Sequence, residues 1–141
     1  MKEQVKRLNS VLNLKQKLLD KLVSELEILK NTEIQLKNTI TNLKNKLNSL
    51  NITIGSEVTP DDFFMLENNR HFFELKIRVA EEELDSILVR KKQKQDEVIL
   101  ANQELKGIEK ILEKKKQLLE QELRKKERKE LDDMVSTRRS R

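Results

Sequence analysis

From Val5 onward, apolar residues recur at alternating steps of three and four. The row runs Val5, Leu8, Leu12, Lys15, Leu19, Leu22, Leu26, Leu29, Glu33, Leu36, Ile40, Leu43, Leu47 and Leu50. Twelve of these fourteen positions are apolar, and only Lys15 and Glu33 break the row. An alternation sustained this long predicts a helix that lays one stripe against a partner helix in a coiled coil. At 1.5 Å per residue, residues 5–50 would extend about 70 Å. The intervening positions are mostly Lys, Glu, Asn, Gln and Thr, which suit a solvated surface. Residues 51–54 are polar and β-branched, so the helix is expected to fray there.

A second row begins at Leu66 and runs through Arg70, Phe73, Ile77, Ala80, Leu84, Ile87, Lys91, Lys94, Val98, Ala101, Leu105, Ile108, Leu112, Lys115 and Leu119. Twelve of these sixteen are apolar. Its weak spot is Arg90-Lys91-Lys92-Gln93-Lys94-Gln95-Asp96-Glu97, where two successive row positions are lysine. Lysine stems can lie along an apolar seam while the ammonium groups reach water. The segment is expected to remain helical but to be locally less stable. Gly107, in the middle of the same helix but off the row, costs about 1 kcal/mol relative to Ala.

Between the rows stands Gly55-Ser56-Glu57-Val58-Thr59-Pro60-Asp61-Asp62, with the only proline of the chain. Gly55 suits the left-handed residue that closes a helix. Thr59 suits an N-cap, accepting from the free amides of the next turn. Pro60 fits the first helical position, where no amide hydrogen is needed. Asp61 and Asp62 place negative charge on the positive end of the helix dipole.

Two heptad helices joined by a short turn predict an all-α fold, a long antiparallel two-helix coiled-coil hairpin. The expected divisions are 1–54 for the first coiled-coil helix, 55–60 for the turn, 61–130 for the second helix and 131–141 for a basic C-terminal tail. Facing seam residues should have numbers that add to about 113 or about 120. The first register places Ile40 on Phe73 and Leu29 on Leu84. The second places Leu43 on Ile77 and Leu36 on Leu84. In either register the first helix runs out opposite residues 108–115, leaving a C-terminal helical overhang. Residues 106–141 hold thirteen basic and eight acidic residues, a surplus as large as the net charge of +5 for the whole chain. Leu118, Leu119 and Leu123 continue an apolar stripe into this segment, and Leu131, Met134 and Val135 follow. An unpaired amphipathic helix of this kind points to docking.

Composition supports extended helices over a globular domain. Of 141 residues, 39% are charged and 3% aromatic, with no Trp, Tyr or Cys. Little bulky material exists to fill a compact core. Without cysteine there are no disulfides or thiolate metal sites, as suits a reducing compartment. No apolar run approaches the roughly 20 residues that span a bilayer. The N-terminus lacks the apolar stretch of a secretory signal. Asn51-Ile52-Thr53 matches a glycosylation pattern that carries no weight without a secretory route.

The motifs of catalysis are missing as well. There is no glycine-rich phosphate loop and no Cys/His cluster. His71 stands alone and reads as a surface residue. Glu81, Glu82 and Glu83 occupy successive helical positions and splay apart, so they cannot form one metal site. Two-helix coiled coils offer no pocket in which acid and base groups could be desolvated. The expectation is a non-enzyme without cofactor, metal or small-molecule substrate. The basic residues alternate with Glu and lack an aromatic stacking platform, which weighs against nucleic acid as partner.

Three short segments carry a resemblance. Leu8-Asn9-Ser10-Val11-Leu12-Asn13-Leu14-Lys15 is similar to the LxSVLxLR/K opening of the flagellar export protein FliJ family. Met65-Leu66-Glu67-Asn68-Asn69-Arg70-His71-Phe72-Phe73-Glu74 resembles its NYRxYIE-type segment, with Asn69 and Phe72 where the family often has Tyr. Arg128-Lys129-Glu130-Leu131-Asp132-Asp133-Met134-Val135, followed by Arg138-Arg139, looks like its KELDE(L/I)A..R ending. Order and spacing agree along nearly the whole chain.

The resemblance implies a component of the bacterial flagellar type III export apparatus. Such proteins form a hairpin like the coiled-coil shaft of the rotary ATP synthase γ subunit. They stand in the centre of the hexameric export ATPase, promote its assembly and activity, link it to the transmembrane export gate and bind export chaperones. They work in the cytoplasm, at the membrane face beneath the flagellum. The gate-binding surface implied here is Leu43, Lys46 and Leu50 with Phe72, Lys76 and Val79. The implied ATPase contacts are Arg124, Lys125, Arg128 and Leu131. Two other readings share parts of the pattern: the equivalent stalk of a virulence type III secretion system, and a nucleic-acid-binding coiled coil.

Overall fold

The computed structural model describes residues 2–53 and 59–139. Helix α1 spans Lys2–Thr53 and helix α2 spans Pro60–Arg139. The expected fraying is not seen over 51–53, since α1 is helical through Thr53. The predicted closing role of Gly55, with residues 54–58, lies outside the described residues. At the start of α2, the Asp62 amide donates to Thr59 Oγ1 at 3.2 Å, and the Phe63 amide donates to the Thr59 carbonyl at 2.9 Å. Thr59 is thus the N-cap, with Pro60 at the first helical position. At the other end, α2 takes in residues 131–139, with Arg138 and Arg139 in its last turn. Positive charge there complements the negative end of the helix dipole.

The described residues form two compact units, Met1–Lys21 with Val98–Arg141, and Leu22–Glu97. In each, α1 and α2 run antiparallel, the connectivity of a helical hairpin.

In the first unit, Lys15 Nζ reaches Glu104 Oε2 at 3.2 Å, and Lys115 Nζ reaches Gln4 Oε1 at 3.3 Å. The numbers of each pair add to about 120, the second of the two registers open to the sequence. Leu105 and Leu112 form the centre of this unit, each 5% exposed. Beyond Leu119 every described residue of α2 is exposed, so the overhang covers residues 120–139.

In the second unit, Ile40, Ile77 and Ala80 are buried. Lys44 pairs with Glu81 across the two helices at 3.5 Å, while Lys94 and Glu25 add to about 120. Every position of the α1 row is at least half-buried through Leu50. The α2 row is shielded likewise, except at Arg70. Arg70 turns instead to its own helix, donating to Glu74 at 3.1 Å. None of the described large side chains is completely enclosed. Two helices shield each other from one side only, so each seam residue keeps an edge in water.

Gly107 adopts ordinary helical geometry without a positive φ, and a Cβ placed on it would meet nothing within 4 Å. The chain's own packing does not call for glycine here. Gly107→Ala is expected to raise stability by about 1 kcal/mol, read as a higher urea midpoint for loss of helical circular dichroism.

Candidate partner-binding surfaces

The polar breaks in the two rows meet each other. Glu33 is the one buried charged residue among those described, at 8% exposure. Lys91 Nζ donates to Glu33 Oε2 at 2.8 Å, and Lys37 stands 3.1 Å from Glu33 Oε1 on the same helix. One turn of seam away, Lys94 Nζ donates to Glu25 at 2.8 Å and to Glu97 at 3.0 Å. The lysine-rich stretch is therefore bonded across the seam, and its seam ammonium groups do not simply project into water as the sequence suggested. A hint was present in the sequence: the seam breaks of α1 and α2 within this unit carry opposite charge. Position alone could not pair Glu33 with Lys91 while two registers remained open.

These bonds shift Glu33 and Lys94. The hydrogen bond from Lys91, then that from Lys37, hold the Glu33 carboxyl below the usual carboxylate range, against the opposing effect of burial. The hydrogen bonds to Glu25 and Glu97 raise Lys94 above the usual ammonium range. A carboxyl with a depressed folded-state pKa contributes its full stability above the unfolded value. That contribution is lost as pH falls through the folded value. The urea midpoint is therefore expected to fall as pH drops through and below the ordinary carboxylate range. Glu33→Gln should flatten that part of the profile. For Lys94 the sign reverses: its contribution is complete below the ordinary ammonium pKa and fades as pH rises through the elevated one.

The residues implied for gate binding lie in this same unit. Leu43 and Leu50 are half-buried seam residues, and Lys46 is exposed on α1. On α2, Phe72 is 52% exposed, and Lys76 Nζ sits 4.5 Å from the centre of its ring. Phe73 packs edge-on against Phe72, with ring centres 5.8 Å apart. Val79 is exposed one turn further along. Leu43, Lys76 and Val79 come together in a shallow groove of about 290 Å³ that also takes in Leu36, Thr39, Leu75, Ala80 and Glu83. Lys46, Leu50 and Phe72 lie outside that groove. Sequence reasoning missed Leu75, an exposed leucine of the groove, and the exposed cluster Phe63, Phe64 and Met65 at the start of α2. Their signal was available: apolar residues off the seam that no partner helix covers.

The residues implied for the ATPase lie on the overhang of the first unit. Arg124, Lys125, Arg128 and Leu131 are all exposed, Leu131 at 63%. Arg124, Arg128 and Leu131 line one concave patch together with Glu127 and Asp132. Arg124, Lys125 and Arg128 line a neighbouring one with Gln121. Leu123, Met134 and Val135 are exposed on the same segment.

His71 is exposed and stands 3.9 Å from both Glu67 and Glu74. Among the described residues, no group of His, Cys, Asp and Glu could hold a metal ion. No described helix is long and apolar enough to cross a membrane. What the surface offers is apolar side chains without cover, bordered by charge.

Comparison with known proteins gives one match. The family described as Flagellar FliJ protein matches residues 4–141. Neither the curated proteins nor the solved structures include a match to this chain. With the family match running along nearly its whole length, the chain belongs to the flagellar FliJ protein family, a component of the flagellar export apparatus.

Proposed function

We propose that this chain is the coiled-coil stalk of the export ATPase. In this reading it stands within the ATPase hexamer, promotes its assembly and activity, connects it to the transmembrane export gate and binds export chaperones. It does so at the cytoplasmic face of the membrane and hydrolyses nothing itself. The observation that carries the reading is the overhang: twenty helical residues, 120–139, exposed throughout. A lone amphipathic helix with exposed Leu, Met and Val gains by docking into a partner. Its cations, Arg124, Lys125, Lys126, Arg128 and Lys129, suit an acidic lining. The gate is assigned the other unit, where Phe72, Lys76 and Val79 offer an apolar and cationic surface beside Leu43. Because the matching family is flagellar, the flagellar stalk is favoured over the virulence one.

The test compares the full-length chain with a version ending before Arg124. The purified full-length chain should raise the hydrolysis rate of the export ATPase and its hexamer yield. The shortened chain should lose most of both effects, while still binding the cytoplasmic domain of the gate. Equal stimulation by the two would remove the overhang from the mechanism. Absence of stimulation by the intact chain would reject the stalk reading itself.

A further inference from the structure

The two flanks of the first unit differ in kind. The bonds Lys15–Glu104 and Lys115–Gln4 mark one flank, because each crosses the seam on that side. Heptad position places six exposed apolar residues along it: Val11, Leu14 and Leu18 on α1, and Leu100, Ile111 and Leu118 on α2. The opposite flank carries Asn9, Gln16, Asn102, Glu109 and Lys116, with Ile99 as its one exposed large apolar residue before the overhang among those described. Scattered surface leucines need no explanation, but six gathered along one flank, contributed by both helices, do. Gly107 lies in the middle of the row, with open space where a side chain would stand. Small residues at helix interfaces let a second backbone come close, and the chain's own packing makes no use of this one.

The charge along the outer edge selects the occupant. Arg7, Lys17, Lys21, Lys110 and Lys114 border the row and are exposed, and none of them enters an ion pair among the described residues. The acidic residues on the same side are Glu3 and Glu104, and Glu104 is already bonded to Lys15. A second copy of the chain would bring this cationic edge against itself, which like-charge repulsion opposes. We propose that this flank is the docking site for an acidic amphipathic helix of a partner protein, which would lie along the two helices as a third. Its apolar stripe would cover the row, its backbone would pass over Gly107, and its Glu or Asp side chains would meet the five cations. This inference rests on the first unit alone and does not depend on the ATPase or gate assignments.

The test uses the full-length chain and two synthetic helical peptides that share one leucine stripe. One is flanked by Glu and the other by Lys. The Glu-flanked peptide should bind at least about tenfold more tightly, with affinity falling as salt rises. Ile111→Glu should weaken it by a further factor of about ten or more, since it sets a carboxylate against the acidic helix. Gly107→Leu should weaken it too, by filling the space over the helix. Gln16→Glu, on the opposite flank, should leave it unchanged. Circular dichroism of each variant should match the parent, because all three positions are exposed on the helix surface. Equal affinity for the two peptides, or binding unaffected by Ile111→Glu and Gly107→Leu, overturns the proposal. So does a dimer that Ile111→Glu converts to monomer in sedimentation equilibrium, which would make the occupant a second copy.

Discussion

Leu105→Ala and Leu112→Ala should each lower stability by about 2–4 kcal/mol, among the largest losses available to single substitutions in this chain. Both side chains are 5% exposed at the centre of the first unit. Truncation removes apolar surface from water-free contact and leaves a gap that two helices can close only in part. The size of the effect distinguishes seam from surface. Leu131→Ala, at 63% exposure, should change stability by less than about 0.5 kcal/mol. Urea denaturation followed at the helical circular dichroism band provides the comparison. If Leu131→Ala proves as costly as Leu105→Ala, the seam is not where the structure puts it.

Lys91→Ala should destabilise the second unit more than Lys92→Ala, its exposed neighbour. Removing Lys91 leaves Glu33 buried in the seam with only Lys37 to answer its charge. Breaking a shielded pair by taking one partner is costly, because the remaining charge keeps its desolvation penalty. Replacing both, as Glu33→Leu with Lys91→Leu, should recover the loss and raise the urea midpoint above that of the parent. A uniform apolar seam is stable in more than one register and more than one stoichiometry, whereas a polar seam position fixes one. The double variant should accordingly show dimers or larger species in sedimentation where the parent shows fewer. A double variant less stable than Lys91→Ala would mean that the pair stabilises in its own right, and the register argument would fall.

Much of the fold is legible in the sequence because a coiled coil repeats one instruction. The steps of three and four mark the seam residue by residue, and Thr59 with Pro60 marks the start of α2. Lys15, Glu33, Lys91 and Lys94 are where the pattern alone stops short. Taken singly, each looked like a flaw in an apolar row. Their meaning lies in which cations and anions face each other, and a heptad pattern satisfies two registers equally well. The candidate surfaces divide along the same line. Exposed apolar residues off the seam, such as Phe72 and Leu131, follow directly from the pattern. The grouping of Leu43, Lys76 and Val79 in one groove needs both helices, since no step along one strand of sequence brings residue 43 beside residue 79.

By itself the sequence determined two long helices, their antiparallel pairing, the stripe each buries and the helical overhang past Lys115. These follow from local periodicity and from chain length, which do not depend on the choice of partner residue. Only the tertiary structure decided the register of about 120. It also decided the burial of Glu33 against Lys91 and the grouping of Leu43, Lys76 and Val79 in one groove. The physical reason is that hydrophobic burial varies little between registers one heptad step apart. Ion pairs and flanking contacts instead depend on which atoms come within about 3 Å of each other.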